Sequence, residues 1–129
     1  MARVLGMDVA DLAECDENST EAVQISSTCT VFAESEVISQ LARNAAIPDL
    51  VAGIHKSAAS RAAALIKRVG ITEPLLMTGG VAANAGVVRA LEQVLGVPVA
   101  TSPYSQIAGA LGAALIALEK TVKGVVIGD

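Results

Sequence analysis

Pro74-Leu-Leu-Met-Thr-Gly-Gly-Val-Ala-Ala-Asn84 is the stretch that decides the fold of this 129-residue chain. Its apolar part has the length of one β-strand, and two adjacent glycines, Gly79 and Gly80, stop that strand before a helical pattern begins. A strand that ends at glycines and leads into a helix is a common way for an α/β protein to bring bare backbone close to a ligand. A tight turn without a ligand has the same pattern, so the stretch alone leaves both interpretations open. We call residues 78–84 the glycine turn.

The segments that follow the glycine turn predict helices packed on a small parallel sheet. Asn84 is a good N-cap, and the helix that it starts is expected to end at Gly96. A second short strand is predicted at 97–100, and a last helix at about 105–119. The expected fold class is therefore α/β.

A long helix is predicted before the glycine turn, at about 48–69. Apolar residues recur there at helical spacing, and the face expected to be buried runs on to Leu65 and Val69. His55 falls on the polar side of this pattern, which indicates a surface residue.

The first third of the chain predicts shorter elements. Residues 1–5 are typical of the end of a helix that Gly6 closes, and a second short helix is expected at 9–14. The mixed stretch at 23–32 indicates a loop, and Ser35 is expected to start a helix of about 35–43.

Composition limits the possible functions. The net charge is −4 and no basic cluster occurs, which argues against nucleic acid as a partner. The longest apolar run is too short to span a bilayer, and no signal-peptide pattern opens the chain, so we expect a cytoplasmic protein without a membrane partner. The two cysteines, Cys15 and Cys29, have neither CxxC spacing nor the number needed for a disulfide framework.

Known site patterns exclude one chemistry and leave others open. A dinucleotide fold needs Gly-x-Gly-x-x-Gly and an acidic residue after the next strand, and both are missing here. A Cys29–His55 nucleophile pair is conceivable, but nothing in the sequence places the two residues together. A metal cluster would need ligands from a second chain or from further sequence.

Three segments resemble one family. Ile25-Ser-Ser-Thr-Cys-Thr-Val-Phe-Ala-Glu-Ser-Glu-Val-Ile-Ser39 is similar to the cysteine segment of the ATP-dependent activators of 2-hydroxyacyl-CoA dehydratases, which the ATPase subunits of benzoyl-CoA reductase share. The glycine turn resembles the adenosine-side turn of the same family, and Gln106-Ile-Ala-Gly-Ala-Leu-Gly-Ala-Ala-Leu115 resembles its last helix. The resemblance covers residues 1–120 in order.

This resemblance implies an actin-like ATPase with two ribonuclease-H-like halves. Such a protein is a homodimer that binds ATP or ADP with Mg²⁺ and holds one [4Fe-4S] cluster between its subunits. It couples ATP hydrolysis to the delivery of one electron to an acyl-CoA dehydratase or reductase. By this resemblance, residues 1–120 are the C-terminal part of the ATPase, a partial ribonuclease-H-like half, and residues 121–129 are a tail.

The resemblance also assigns roles to single residues. Cys29 matches one of the family's two cluster cysteines. Gly79, Gly80 and Val81 match the nucleotide-side turn, and Gln106 matches the start of the closing helix near the nucleotide. No residue of this chain is assigned a catalytic role.

The family's phosphate loops and its other cluster cysteine would precede Met1. We therefore expect this chain alone to bind nucleotide poorly, to hydrolyse no ATP and to hold a cluster poorly or not at all. The alternative function is a non-catalytic interaction or dimerisation module. The apolar strand at 75–78 is expected to leave an open sheet edge, which favours self-association unless a tail strand at 122–127 covers it.

Overall fold

The computed structural model describes residues 1–26 and 29–122. Those residues form six α-helices: α1 (Ala2–Leu5), α2 (Leu12–Cys15), α3 (Thr30–Ala42), α4 (Ile47–Val69), α5 (Ala85–Leu95) and α6 (Ala108–Val122). They also form two strands, β1 (Leu75–Leu76) and β2 (Val99–Ala100), and three 3₁₀ turns, Asp16–Asn18, Gly80–Ala83 and Ser105–Ile107.

The two strands pair in parallel; β1 precedes α5 in the sequence and β2 follows it. Leu75 lies opposite Val99 and Leu76 lies opposite Ala100. The Met77 N–H extends the pairing by donating to the Ala100 carbonyl oxygen at 2.9 Å. Parallel strands require a crossover connection, which α5 supplies. The α/β fold class and the small parallel sheet are therefore confirmed, and within the described ranges β1 has β2 as its one neighbour.

Both ends of α5 form as the sequence predicts. The Asn84 side-chain oxygen accepts the Val87 N–H at 3.1 Å, which satisfies one of the free donors at the helix start. Gly96 ends the helix in the left-handed conformation at φ 74°, where its N–H donates to the Glu92 carbonyl.

Helix α4 joins two hydrophobic clusters among the described residues. Its first half contributes Leu50 and Val51, both fully buried, to a cluster with residues of α1, α2 and α3. Its second half contributes Ala59 and Ala63 to a cluster with α5 and β2. The small alanine side chains let α5 approach α4 closely, and this pair makes the most extensive helix contact of the described chain.

The predicted buried face of α4 is wrong in its second half. Leu65 is 62% exposed and Val69 is 91% exposed. The inward positions are instead His55, Ala59 and Ala63, four residues apart. The predicted face included Ala58 and Ala62, whereas the alanines that pack against α5 lie one position later, at Ala59 and Ala63.

Several element boundaries also differ from the prediction. Helix α3 begins at Thr30 rather than near Ser35, because Cys29 already has the extended backbone of an N-cap residue and the helix starts directly after it. Helix α2 begins at Leu12. The helix end at Gly6 is confirmed, with a left-handed φ of 66°. The strand predicted at 122–127 lies outside the described residues except for Val122, which belongs to α6.

Helix α6 leaves most of its large side chains exposed. Leu111, Leu115, Ile116 and Leu118 are between 46% and 61% exposed. Among the described residues, no helix combines the length and the apolar character needed to cross a membrane.

Candidate functional site

The glycine turn presents bare backbone at the surface, directly after β1. Gly79 has φ 90° and ψ 179°, a conformation that residues with a Cβ rarely adopt. Gly80 begins the 3₁₀ turn, and Val81 beside it is 54% exposed. A Cβ built on either glycine would meet no atom within 4 Å, so the space in front of both is open to a ligand.

A second turn, Ser105–Ile107, packs against the glycine turn. The Gly79 N–H donates to the Ser105 carbonyl oxygen at 2.7 Å, which fixes the two turns side by side. Gln106 is exposed at this junction. The structure therefore brings together the four residues predicted to line the nucleotide side, Gly79, Gly80, Val81 and Gln106.

Ser105 connects this surface to the sheet, a role that was not predicted from the sequence. Its side chain is buried, and its hydroxyl donates to the Met77 carbonyl oxygen at 3.1 Å. The hydroxyl oxygen of Ser105 in turn accepts the Ser102 N–H at 2.9 Å. Serine in a turn readily bonds to nearby backbone, so the spacing of Ser102 and Ser105 was the available signal.

His55 is buried, so its prediction as a surface residue is wrong. It is 2% exposed, and its Nδ1 lies 2.6 Å from an oxygen of Asp16. Its Nε2 lies 3.4 Å from the side-chain nitrogen of Asn84. His55 is therefore hydrogen-bonded on both ring nitrogens. These bonds offset the free-energy cost of burying polar nitrogens, which was the reason to expect the residue at the surface.

Arg89 completes a polar cluster around Asp16. One guanidinium nitrogen donates to the second Asp16 oxygen and to the Ala13 carbonyl oxygen, both at 2.6 Å. The other donates to Glu17 at 2.9 Å. We call Asp16, His55, Asn84 and Arg89 the His55 network, which joins α4, α5 and the 3₁₀ turn Asp16–Asn18.

Gly86 gives the His55 network its space. A Cβ at this position would lie 2.5 Å from two atoms of the His55 ring and 2.6 Å from an Asp16 oxygen. The glycine is needed here for close approach rather than for an unusual backbone angle. His55 and Cys29 are not paired, because the histidine nitrogens are directed to Asp16 and Asn84.

The two cysteines lie in different environments. Cys29 is exposed and lies at the N-cap of α3. Burial raises the pKa of the Cys15 thiol, and the nearby Asp16 carboxylate raises it further. Within residues 1–26 and 29–122, no group of three or more His, Cys, Asp or Glu side chains could hold a metal ion. One chain's described residues therefore do not form a complete metal site.

A polar cleft of about 840 Å³ lies elsewhere, between the loop at 20–26 and α4. Its lining includes Asp49, Lys56 and Ser60 and none of the glycine-turn residues. Asp49 accepts hydrogen bonds from the Glu21 and Thr20 N–H groups and from the Ser19 hydroxyl, which lower its pKa and hold the loop on α4. Because these bonds explain Asp49 as a loop anchor, volume alone does not make this cleft the functional site.

Comparison with known proteins decides the family. The profile of the BadF/BadG/BcrA/BcrD ATPase family matches residues 1–117. The chain belongs to this ATPase family. The resemblance inferred from the cysteine segment, the glycine turn and the last helix is thereby confirmed.

Relatives of known role share the same region. The (R)-2-hydroxyglutaryl-CoA dehydratase activating ATPase of Acidaminococcus fermentans is 58% identical over 123 residues, which are 95% of this chain and 47% of that protein. One of the subunits of benzoyl-CoA reductase from Thauera aromatica is 36% identical over 121 residues, which cover 89% of this chain and 43% of that protein. The chain thus spans about half the length of the curated relatives that it matches.

A solved relative connects the fold to a nucleotide. The activator of the 2-hydroxyisocaproyl-CoA dehydratase from Clostridium difficile was solved with bound ADPNP. It superimposes on this chain with a TM-score of 0.91 at 46% identity, covering all of this chain and 49% of the activator. These similarities support the interpretation as part of an activator ATPase, and not the alternative of a non-catalytic interaction module.

Proposed function

We propose that this chain supplies the adenosine side of the nucleotide site in an activator ATPase. The observation that carries the proposal is the exposed glycine turn beside Gln106. The whole of this chain, glycine turn included, matches part of an activator that was solved with bound ADPNP. Gly79 and Gly80 let the nucleotide approach backbone without a side chain in between. Gln106 offers an amide that both donates and accepts hydrogen bonds.

The phosphates and Mg²⁺ must bind mainly to other parts of the ATPase. Phosphate sites use cradles of backbone N–H groups, and Mg²⁺ prefers carboxylate oxygens and water. The described residues contain no cluster of three carboxylate, His or Cys side chains around the glycine turn. We therefore propose that residues 1–120 act together with a phosphate-binding half, and that the chain alone binds ATP or ADP weakly and releases no phosphate.

We further propose that Cys29 is a ligand of a [4Fe-4S] cluster shared by two subunits. Its exposure at the start of α3 leaves its sulfur accessible to a second copy of the chain. One such cysteine per chain gives two ligands in a dimer, whereas a [4Fe-4S] cluster usually takes about four thiolates. The remaining ligands must come from outside the described residues.

The proposed activity is ATP-dependent delivery of one electron to an enzyme that acts on an acyl-CoA. A 2-hydroxyacyl-CoA dehydratase is the first candidate partner, because the activators of such enzymes are among the most similar relatives. A benzoyl-CoA reductase is the second. A homodimer in the cytoplasm is part of the same proposal.

A chimera tests the proposal. In the Acidaminococcus fermentans activator, the matching half is replaced by residues 1–120 of this chain. We expect the chimera to hydrolyse ATP and to activate the dehydratase of that organism. A folded chimera that binds no ATP would contradict the proposed nucleotide site, whereas one that hydrolyses ATP without activating the dehydratase would contradict only the proposed partner.

A further inference from the structure

The His55 network ends at the glycine turn, through Asn84. The Asn84 N–H donates to the Val81 carbonyl oxygen at 3.0 Å and so closes the 3₁₀ turn Gly80–Ala83. The side chain of the same residue caps α5 through the Val87 N–H. Asn84 is therefore the residue at which the geometry of the glycine turn and the start of α5 are both set.

The cap determines how Asn84 meets His55. Because the Asn84 oxygen accepts the Val87 N–H, its side-chain nitrogen is the atom left to face His55 Nε2, at 3.4 Å. An amide nitrogen only donates, so Nε2 must accept. The proton of a neutral imidazole then lies on Nδ1, where it is donated to Asp16 at 2.6 Å.

The other end of the network is anchored firmly. Asp16 uses one oxygen for His55 and the other for Arg89, which itself also bonds Ala13 and Glu17. His55 is 2% exposed and Gly86 leaves no free volume beside its ring. The imidazole consequently has one orientation available to it.

We propose that His55 is a positioning residue for the nucleotide-binding surface: held by Asp16, it orients the Asn84 side chain and thereby fixes the glycine turn. The inference rests on the function proposed for that turn, but the order of the turn can be measured without any nucleotide. His55 does not touch the exposed faces of Gly79 or Gly80, and it acts through Asn84 alone.

Two variants separate positioning from simple packing. In His55→Gln, the side-chain oxygen can take the place of Nε2 and accept from Asn84, while the bond to Asp16 is lost. In His55→Asn, the side-chain nitrogen can take the place of Nδ1 and donate to Asp16, while the bond to Asn84 is lost. Both substitutions remove the buried ring, and asparagine is the smaller replacement, so Asn84→Ser, which leaves the volume at position 55 unchanged, is the control for lost packing.

Amide hydrogen exchange in the 129-residue chain is the measurement. The reporters are the Ala82 and Asn84 amides, which bond to the Gly79 and Val81 carbonyls within the turn. We expect His55→Asn to raise their exchange rates about tenfold, the usual effect of one lost hydrogen bond on a local opening, with His55→Gln much closer to wild type. If His55→Gln has the larger effect at these amides, the anchoring of Asp16 matters more than Asn84 and the proposal is wrong.

Two further measurements do not depend on how well these variants fold. In the wild-type chain, nitrogen chemical shifts of the His55 ring should show a proton on Nδ1 and none on Nε2, as the hydrogen bonds require; a proton on Nε2 overturns the proposal. Asn84→Ser keeps a capping oxygen for α5 but cannot reach His55, and it should also increase exchange at Ala82. Failure of nucleotide binding with these results intact would contradict the proposed function and leave the positioning role standing.

Discussion

Alanine substitutions at the two adjacent glycines separate the conformational role of the glycine turn from its role in ligand access. Gly79 has φ 90° and ψ 179°, whereas Gly80 has no positive φ. A Cβ at either position meets no atom within 4 Å, so steric overlap contributes to neither variant. Any difference in stability between the two must therefore come from the backbone conformation.

The expected magnitudes follow from that difference. Gly79→Ala should reduce the free energy of unfolding by about 1–3 kcal/mol, the usual cost of holding a residue with a Cβ in this region. Gly80→Ala should leave it unchanged or raise it by up to about 1 kcal/mol, because alanine restricts the unfolded chain. Urea denaturation of the 129-residue chain, followed by circular dichroism, measures both.

The same pair of variants in the chimera tests ligand access. Gly80→Ala places a methyl group in the open space in front of the turn, so ADPNP should bind at least about tenfold more weakly, a loss of about 1.4 kcal/mol, although the protein is as stable as before. A Gly79→Ala variant within about 0.5 kcal/mol of wild type would refute the conformational argument. A Gly80→Ala chimera with unchanged ADPNP affinity would refute the argument on access.

Three further predictions concern other parts of the chain. The lowered pKa of Asp49 means that its bonds to the loop at 20–26 stabilise the fold above its ordinary pKa of 3.8 and are lost as the pH falls through the lower folded-state value. Asp49→Asn should remove this acid-dependent part of the stability. The free energies of unfolding at low pH and at pH 7, measured by urea denaturation, should then differ less than in the wild type, and an unchanged difference would contradict this prediction. Cys29→Ala in the chimera should abolish the visible absorbance of the cluster after anaerobic reconstitution while ADPNP still binds, and a cluster that survives would exclude Cys29 as a ligand. The open edge of β1 should make the 129-residue chain a dimer in light scattering, which a monomer with that edge bare would contradict.

The elements that the sequence predicted well are those with local signals. The glycine turn, the Asn84 cap and the ends at Gly6 and Gly96 each depend on a conformation or a hydrogen bond within a few residues. The length of α4 was predicted closely for the same reason, since apolar periodicity, Pro48 near its start and Gly70 after its end are all visible in the sequence. Such features need no knowledge of distant contacts.

The features that the sequence did not predict depend on distant partners. His55 is buried because Asp16, 39 residues earlier, and Asn84, 29 residues later, supply its hydrogen bonds. Gly86 looked like an ordinary residue of a helical pattern, yet the His55 ring fills the space of its missing Cβ. No periodicity contains this information, because the partners lie on three separate elements.

The central claim, that the glycine turn and Gln106 form the adenosine side of a nucleotide site, is tested most directly by an amide NMR titration of the chimera with ADPNP. We predict that the largest shift changes within residues 1–120 occur at Gly79, Gly80, Val81 and Gln106. Shift changes confined to the cleft between the loop at 20–26 and α4, with the glycine turn unaffected, would contradict it.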